Sequence, residues 1–370
     1  MHIVQSPGGV ERYILMLLKN MDLSKYDNIL VCSFDYDEEK FKDIVIAFEQ
    51  VDMVREISFR KDISSIINVR KIIKKYNPDV VYMHSSKAGA IGRIANIGLK
   101  NKSIYNPHGW AFNMECSKKK KVLYICIEKV LSHFCDKIVA ISDYENKSAV
   151  TQKICKSKKI KVINNGIDIE ENLKIESYIS REDLNIPSNS YIIGMVGRIC
   201  EQKAPDIFIK AASLIRKSIP NAYFIIVGDG EMKNEILKLA KSKNIEDRVK
   251  ITGWVNEPMR YIKLFDQAML LSRWEGFGLV VAEYMLAEKP IIATDVDAIP
   301  KIILNGINGM LVEKDDFNKV YELSLKIKNN EELRDKLVKE GARIVREKYD
   351  IKRVGIETDD LFTQLINRDR

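Results

Sequence analysis

The stretch AMLLSRWEGFGLVVAEYMLAEKPIIATDV, residues 268–296, holds one complete strand–loop–helix–strand cycle. AMLLS ends an apolar strand, residues 273–275 connect, residues 279–287 carry apolar side chains at helical spacing, and 290–293 is a second buried strand. Gly276-Phe277-Gly278 stands where the helix begins. Glycine there lets the backbone approach a ligand closely. A helix start also offers free amide N–H groups and the positive end of its dipole, which suits phosphate or sugar hydroxyls. Glu275 and Glu283 are eight residues apart, which is roughly 12 Å along a helix axis. That is too far for one acid–base pair and suits two ends of one long ligand. The alternative makes Glu275 a partner of the helix dipole and Glu283 a solvated helix residue.

The same cycle recurs outward in both directions. In the second half, strands are expected at 191–196, 222–227, 249–251, 267–271, 290–293 and 310–312. Helices are expected at 206–217, 231–243, 279–287, 317–328 and 331–349. In the first half, strands are expected at 1–4, 28–33, 54–57, 79–83, 103–105, 137–141 and 158–163. The helices between them are expected at 11–19, 63–76, 88–99, 122–134 and 144–153. Alternating α and β with buried strands is the pattern of an α/β fold with parallel, doubly wound sheets. Residues 170–190 have weak periodicity and many charges and read as a linker. Two doubly wound Rossmann-like domains facing across a cleft are therefore expected, with ligands at the carboxyl ends of the strands.

A length of 370 residues fits two domains, and 46% hydrophobic with 30% charged residues fits globular cores. No apolar run reaches the roughly 20 residues of a membrane span. The opening MHIVQSPGGVERYILMLLKN lacks a basic n-region and a cleavage site, so no secretory signal is expected. Cysteines 32, 116, 126, 135, 155 and 200 show no Cys-x-x-Cys spacing. They read as reduced thiols of a cytoplasmic protein and not as a zinc site. The net charge of +8 suits nucleic acid, anionic membrane or phosphorylated ligands, or simply a soluble surface.

Three further segments carry candidate chemistry. In GMVGRICEQKAP (194–205), Arg198 and Lys203 flank a loop after a strand. Two cations there suit a diphosphate, although a solvated loop has the same pattern. In NPHGWAFN (106–113), His108 ends a strand inside a glycine-containing turn. In SPGGVERY (6–13), Gly8-Gly9 separates the first strand from the first helix in a manner similar to a phosphate-cradling turn.

Taken in order, GGVERY, HSSKAGAIGRIA (84–95), NPHGWAF, NNGID (164–168), GRICEQK, IVGDGE (226–231), ITGWV (251–255) and EGFGLVVAE (275–283) resemble the family 4 glycosyltransferases, retaining enzymes of the GT-B fold. The likeness covers nearly the whole chain and is strongest to bacterial enzymes of capsular and exported polysaccharide synthesis. It implies an acceptor-binding domain over 1–170, a nucleotide-sugar-binding domain over 187–350, and a last helix over 351–370 that returns to the first domain. It places Glu275 near the donor sugar and the amides of Gly276, Phe277, Gly278 and Leu279 at its hydroxyls and diphosphate. It places Glu283 at the ribose, with Arg198 and Lys203 at the diphosphate. It implies that His108 faces the reaction centre, that Gly9 approaches the diphosphate, and that Gly253 and Val255 lie near the nucleobase. On the acceptor side it brings His84, Lys87 and Trp110.

What the resemblance implies is metal-independent transfer, without a cofactor, from a UDP-sugar to a lipid-linked or growing saccharide with retention of configuration. Asp35-Tyr36-Asp37 and Asp295-Val296-Asp297 imitate a metal-binding Asp-x-Asp motif and read as loops in this fold pattern. Three features depart from the family. The first strand is short, with Ser6 and Pro7 before Gly8; Glu288-Lys289 replaces a small residue and glycine; and Lys301 stands in VDAIPKII at a usual glutamate position.

CSKKKKVLYICIEKVLSHF (116–134) joins four lysines to an apolar helical stretch. The apolar residues are expected to pack into the first domain. Lysines 118–121 are either solvated or in contact with an anionic membrane, so the expected location is cytoplasmic, with peripheral contact at the inner face of the plasma membrane. Rival readings are a nucleotide-sugar epimerase, an inactive nucleotide-sugar-binding homologue and a nucleic-acid-binding protein. No basic stripe with interleaved aromatics supports the last.

Overall fold

A computed structural model of the chain describes residues 1–5, 7–54, 56–176 and 179–367. Ser6 of the glycine turn, residues 177–178 of the expected linker and residues 368–370 of the expected last helix lie outside the described residues. The chain divides into two compact units, Met1–Gly166 with Ile351–Arg370, and Ile167–Asp350.

The first unit contains strands β1 (His2–Val4), β2 (Ile29–Cys32), β3 (Ala47–Gln50), β4 (Val80–His84), β5 (Lys102–Asn106), β6 (Lys137–Ala140) and β7 (Ile160–Val162). They form one parallel sheet in the order β3-β2-β1-β4-β5-β6-β7. Helices α1 (Gly9–Lys19), α2 (Phe59–Tyr76), α3 (Ser86–Ala95), α4 (Lys118–Leu131) and α5 (Asp143–Thr151) connect them. Successive strand residues serve opposite faces, as a pleated strand requires. Val4, Leu30, Tyr82 and Ile104 meet α1 on one face, and Ile3, Val31, Val81 and Met83 meet α2 and α3 on the other.

The second unit opens with α6 (Ile169–Lys174), inside the stretch expected to be linker. It continues as β8 (Tyr191–Val196), α7 (Pro205–Ser218), β9 (Ala222–Val227), α8 (Lys233–Ser242), β10 (Val249–Ile251), α9 (Met259–Ile262), β11 (Gln267–Leu270), α10 (Leu279–Leu286), β12 (Ile291–Thr294), α11 (Ile299–Ile302), β13 (Met310–Val312), α12 (Phe317–Asn329) and α13 (Glu331–Lys348). Its parallel sheet runs β10-β9-β8-β11-β12-β13. YIIGMV and AYFIIV are almost wholly buried because helices cover both faces of such a sheet.

The chain leaves the second unit beside the point where it enters: Ile167 N–H donates to Tyr349 O over 2.8 Å. The last helix, α14 (Ile351–Ile366), adds Ile351, Val354, Leu361 and Phe362 to the core under α1. A Cβ at Gly355 would stand 3.0 Å from Asn20 O at the end of α1, so glycine permits this close approach.

One strand was misplaced by the sequence reading. The described part of 54–57 is not strand, and β3 lies at Ala47–Gln50 instead. AFEQ is a half-exposed edge strand paired with β2 alone, so it lacks the apolar run that marks the inner strands.

Candidate active site

Strand order reverses between β8 and β11 in the second unit and between β1 and β4 in the first. In open α/β sheets, ligands collect beyond the carboxyl ends of the strands at such switch points. The candidate residues gather at both.

In the second unit, the loop after β8 and the loop after β11 are tied together. Gln202 Nε2 donates to Trp274 O at 3.0 Å, and Arg273 N–H donates to Gln202 O at 2.7 Å. Arg273 also clasps both Asp206 oxygens at 2.9 and 3.0 Å and reaches Asp315 at 2.9 Å. This framework brings Lys203 Nζ into an ion pair with Glu275 Oε2, an oxygen that also accepts from Ser272 Oγ at 3.1 Å. The Glu275 backbone N–H donates to Asp297 Oδ2 at 2.8 Å. Asp297, read from sequence as a plain loop residue, therefore anchors the glutamate. Sequence reasoning also missed Ser272, Gln202 and Arg273; the last two act between the loops that follow β8 and β11.

Arg198 stands half-exposed and paired with Glu231 at 3.0 Å. The backbones of 197–199 and 228–230 cross so closely that a Cβ on Gly228 would lie 2.1 Å from Gly197 O. One on Gly230 would lie 2.3 Å from Ile199 O. Gly278 is the N-cap of α10 at φ 84, a left-handed conformation that glycine adopts without strain. Tyr284 on α10 locks the arrangement from below: its hydroxyl accepts from Val196 N–H at 2.8 Å and donates to Met269 O at 3.3 Å. Phe277 is buried against Tyr349, so its backbone alone is offered to a ligand. Glu283 is 2% exposed. Gly253 (φ 75) bridges Gly228 at the edge of this region, and next to it Trp254 is 69% exposed. Val255 follows, half-buried. Lys301 is exposed on α11.

In the first unit, β1, β4 and β5 are adjacent and bring together three histidines. His2 Nδ1 lies 3.1 Å from His84 Nε2, and His84 Nδ1 lies 3.0 Å from His108 Nε2. His2 and His84 are buried, while His108 is half-buried at the outer end. Burial pushes all three below the ordinary imidazole range, His108 to about 3. His108 takes a left-handed backbone (φ 52) and its N–H donates to Asn106 Oδ1 at 2.9 Å. Ser85, after β4, is also left-handed (φ 74). Such conformations persist only where surroundings enforce them. Gly9 opens α1 beside open space, with Gly8 N–H donating to Glu11 at 3.3 Å.

The three residues expected on the acceptor side are all largely covered. Trp110 is 1% exposed and its indole donates to Glu145 O at 2.9 Å, so it supports the loop from within the core. His84 is fully buried and reaches the surface only through His108. Lys87 is mostly covered, paired with Asp62 and bonded to Glu56 O.

Comparison with known proteins decides what this assembly belongs to. The model for "Glycosyltransferase Family 4" matches residues 7–171, and that for "Glycosyl transferases group 1" matches residues 177–344. A Klebsiella pneumoniae protein described as an uncharacterized 41.2 kDa protein in the cps region is 33% identical over 331 residues, 87% of this chain and 88% of that protein. The chain belongs to the family 4 glycosyltransferases.

An Escherichia coli relative, UDP-Gal:alpha-D-GlcNAc-diphosphoundecaprenol alpha-1,3-galactosyltransferase, is 29% identical over 371 residues, 95% of this chain and 94% of that one. The crystal structure of Anabaena HepE in complex with UDP and glucose superposes with a TM-score of 0.82 at 18% identity, covering 98% and 99% of the two chains. The glycosyltransferase described here thus has the GT-B type of fold, built from two Rossmann-like units.

Proposed function

We propose that this glycosyltransferase moves a sugar from a UDP-sugar to a lipid-linked or growing saccharide, with retention of configuration and without a metal. The observation that carries the donor assignment is the Lys203–Glu275 pair at the start of α10, with Arg198 on the adjoining loop. A diphosphate takes over Lys203 from Glu275, while Arg198 turns from Glu231 to the phosphates. Lys203 then meets the negative charge that grows on the departing nucleoside diphosphate, where a pre-placed cation lowers the barrier. The amides of Gly276 to Leu279 bind sugar hydroxyls and phosphate oxygens, and Glu283 binds the ribose. Trp254 adds an exposed indole on which a uracil can stack. The freed Glu275 carboxylate turns to the sugar, and the family resemblance gives His108 a role at the reacting sugar.

The relatives support the donor and acceptor classes. The E. coli protein is named for UDP-Gal and a diphosphoundecaprenol acceptor, and HepE was solved with UDP. Glu275 is engaged by Lys203 and Ser272, and same-face substitution needs no covalent nucleophile from the protein. The departing phosphate takes the acceptor's proton in that scheme.

Helix α4 supports peripheral membrane contact. Of the apolar residues expected to pack inward, Leu131 is buried and Ile125 packs against the core, but Val122 and Val130 are 59% and 60% exposed, and neighbouring Leu123 is 49% exposed. They lie beside exposed Lys118, Lys119, Lys120 and Lys121, a combination suited to an anionic interface. No helix among the described residues is long and apolar enough to cross a membrane.

The deciding experiment incubates the protein with UDP-sugars and undecaprenyl-diphosphate saccharides, in EDTA and in Mg²⁺, and reads the anomeric configuration of the product by NMR. An α-linked product from an α-linked donor, formed equally in EDTA, is expected. An inverted product, a metal requirement, or sugar epimerised without acceptor would overturn the reading.

A further inference from the structure

The chain has four histidines, and three of them form one ring stack. The His2 and His84 rings lie 5.4 Å apart at 13°, and those of His84 and His108 lie 5.2 Å apart at 28°. Tyr13 presses edge-on against His108 at 4.7 Å, and Tyr82 lies 4.2 Å from His84. Asn106 donates to the Tyr82 hydroxyl at 3.4 Å while holding the His108 backbone. These neighbours keep the rings from turning over.

A neutral imidazole has one N–H and one bare nitrogen. His84 therefore has a single proton for its two ring contacts, and two arrangements satisfy both. In the first, His84 Nε2–H donates to His2 Nδ1 and His84 Nδ1 accepts from His108 Nε2–H, which leaves His108 Nδ1 bare. In the second, His2 Nδ1–H donates to His84 Nε2 and His84 Nδ1–H donates to His108 Nε2, which leaves His108 with Nδ1–H. Any other combination sets two donors or two acceptors face to face in the core, where a failed hydrogen bond is costly.

We propose that His2 and His84 are positioning residues that lock the ring proton of His108, so that the three imidazoles change tautomer only together and set whether His108 offers Nδ1 to a sugar hydroxyl as acceptor or as donor. The functional half of this rests on the reading that His108 serves the reacting sugar; the tautomeric lock does not. The stack is not a proton store, because a proton passed inward would leave an imidazolium at buried His2. Its product is polarity: the outermost nitrogen meets the ligand with its hydrogen-bonding sense already decided. The ligand's hydroxyl can reverse that sense only by reversing all three rings.

The test uses the full chain labelled with ¹⁵N-histidine. Exposed His133, outside the stack, serves as the internal reference for the ring signals. The ring nitrogens of His2, His84 and His108 are expected to report the same tautomer fraction, all weighted to Nε2–H or all to Nδ1–H, with no titration between pH 5 and 8. Different tautomers within the stack, or titration of any of the three in that range, would overturn the proposal whatever the role of His108. For the functional half, His84→Phe is expected to lower kcat about tenfold, leave the UDP dissociation constant unchanged and free the His108 tautomer from that of His2. His84→Gln, whose amide keeps a donor and an acceptor, is expected to recover much of the loss. Wild-type kcat in His84→Phe would refute the positioning role. Wild-type kcat in His108→Ala would instead remove the catalytic reading of His108 and leave the measured lock standing.

Discussion

At the switch point of the second unit the side chains are ionised. Lys203 pairs with Glu275, Arg198 with Glu231, and Arg273 with Asp206 and Asp315. At the corresponding point of the first unit, between β1 and β4, stand three imidazoles held neutral by burial. One topology thus carries two electrostatic designs. Ion pairs at a strand end are exchangeable: a diphosphate can replace a carboxylate against the same cation. A neutral stack has no charge to exchange and is suited to hydroxyls, which need a donor or an acceptor of set polarity. The difference suits the proposed reading: cations for the phosphates of a nucleotide sugar in the second unit, and neutral groups of set polarity for hydroxyls in the first.

The strongest way to break this contrast is Lys203→Ala. On the proposed reading it removes a cation from the departing diphosphate and should lower kcat by about 10²- to 10³-fold. Steady-state turnover near the wild-type value would show that the charge at this point is not used.

The neutral side is sharpened by acid. Each buried imidazole stays neutral in the folded chain but takes a proton in the unfolded chain below its ordinary pKa of 6.5. The unfolded state then binds more protons. The stabilising contribution is complete above pH 6.5 and is lost as pH falls towards about 3, the folded value of His108. The slope is about 1.4 kcal/mol per pH unit for each ring. Thermal melts from pH 7.5 to 5 should therefore fall more steeply for the wild type than for His2→Phe. Equal slopes would mean that His2 is not held neutral by the fold.

The smallest effect concerns the support of the charged side. Glu288 follows α10 in a left-handed conformation, φ 57, where a glycine would be unstrained. Glu288→Gly should stabilise the chain by about 1 kcal/mol in denaturant titration with UDP binding unchanged. Destabilisation would show that the weak contact with Arg346 outweighs the backbone strain.

The two sites were unequally legible in the sequence. The second unit's strands fall within a residue of expectation, and Glu275, Gly276, Gly278, Arg198 and Lys203 announce themselves because each sits in a short contiguous motif after an apolar run. Asp297 did not, since its role is to hold the Glu275 amide across from another strand. In the first unit His108 was visible in its turn, but the stack was not. Residues 2, 84 and 108 lie in three separate segments and meet only because β1, β4 and β5 are neighbours. The burial of Trp110 was hidden for a related reason: its indole donates to Glu145, 35 residues further along the chain. The exposed stripe on α4 was likewise hidden, because apolar spacing does not say which side of a helix the sheet covers.

Calorimetric titration of UDP into the wild type, Lys203→Ala and His108→Ala tests the division of labour most directly. Lys203→Ala is expected to weaken UDP binding at least tenfold while His108→Ala leaves it unchanged. Equal binding by wild type and Lys203→Ala, or a loss confined to His108→Ala, would contradict it.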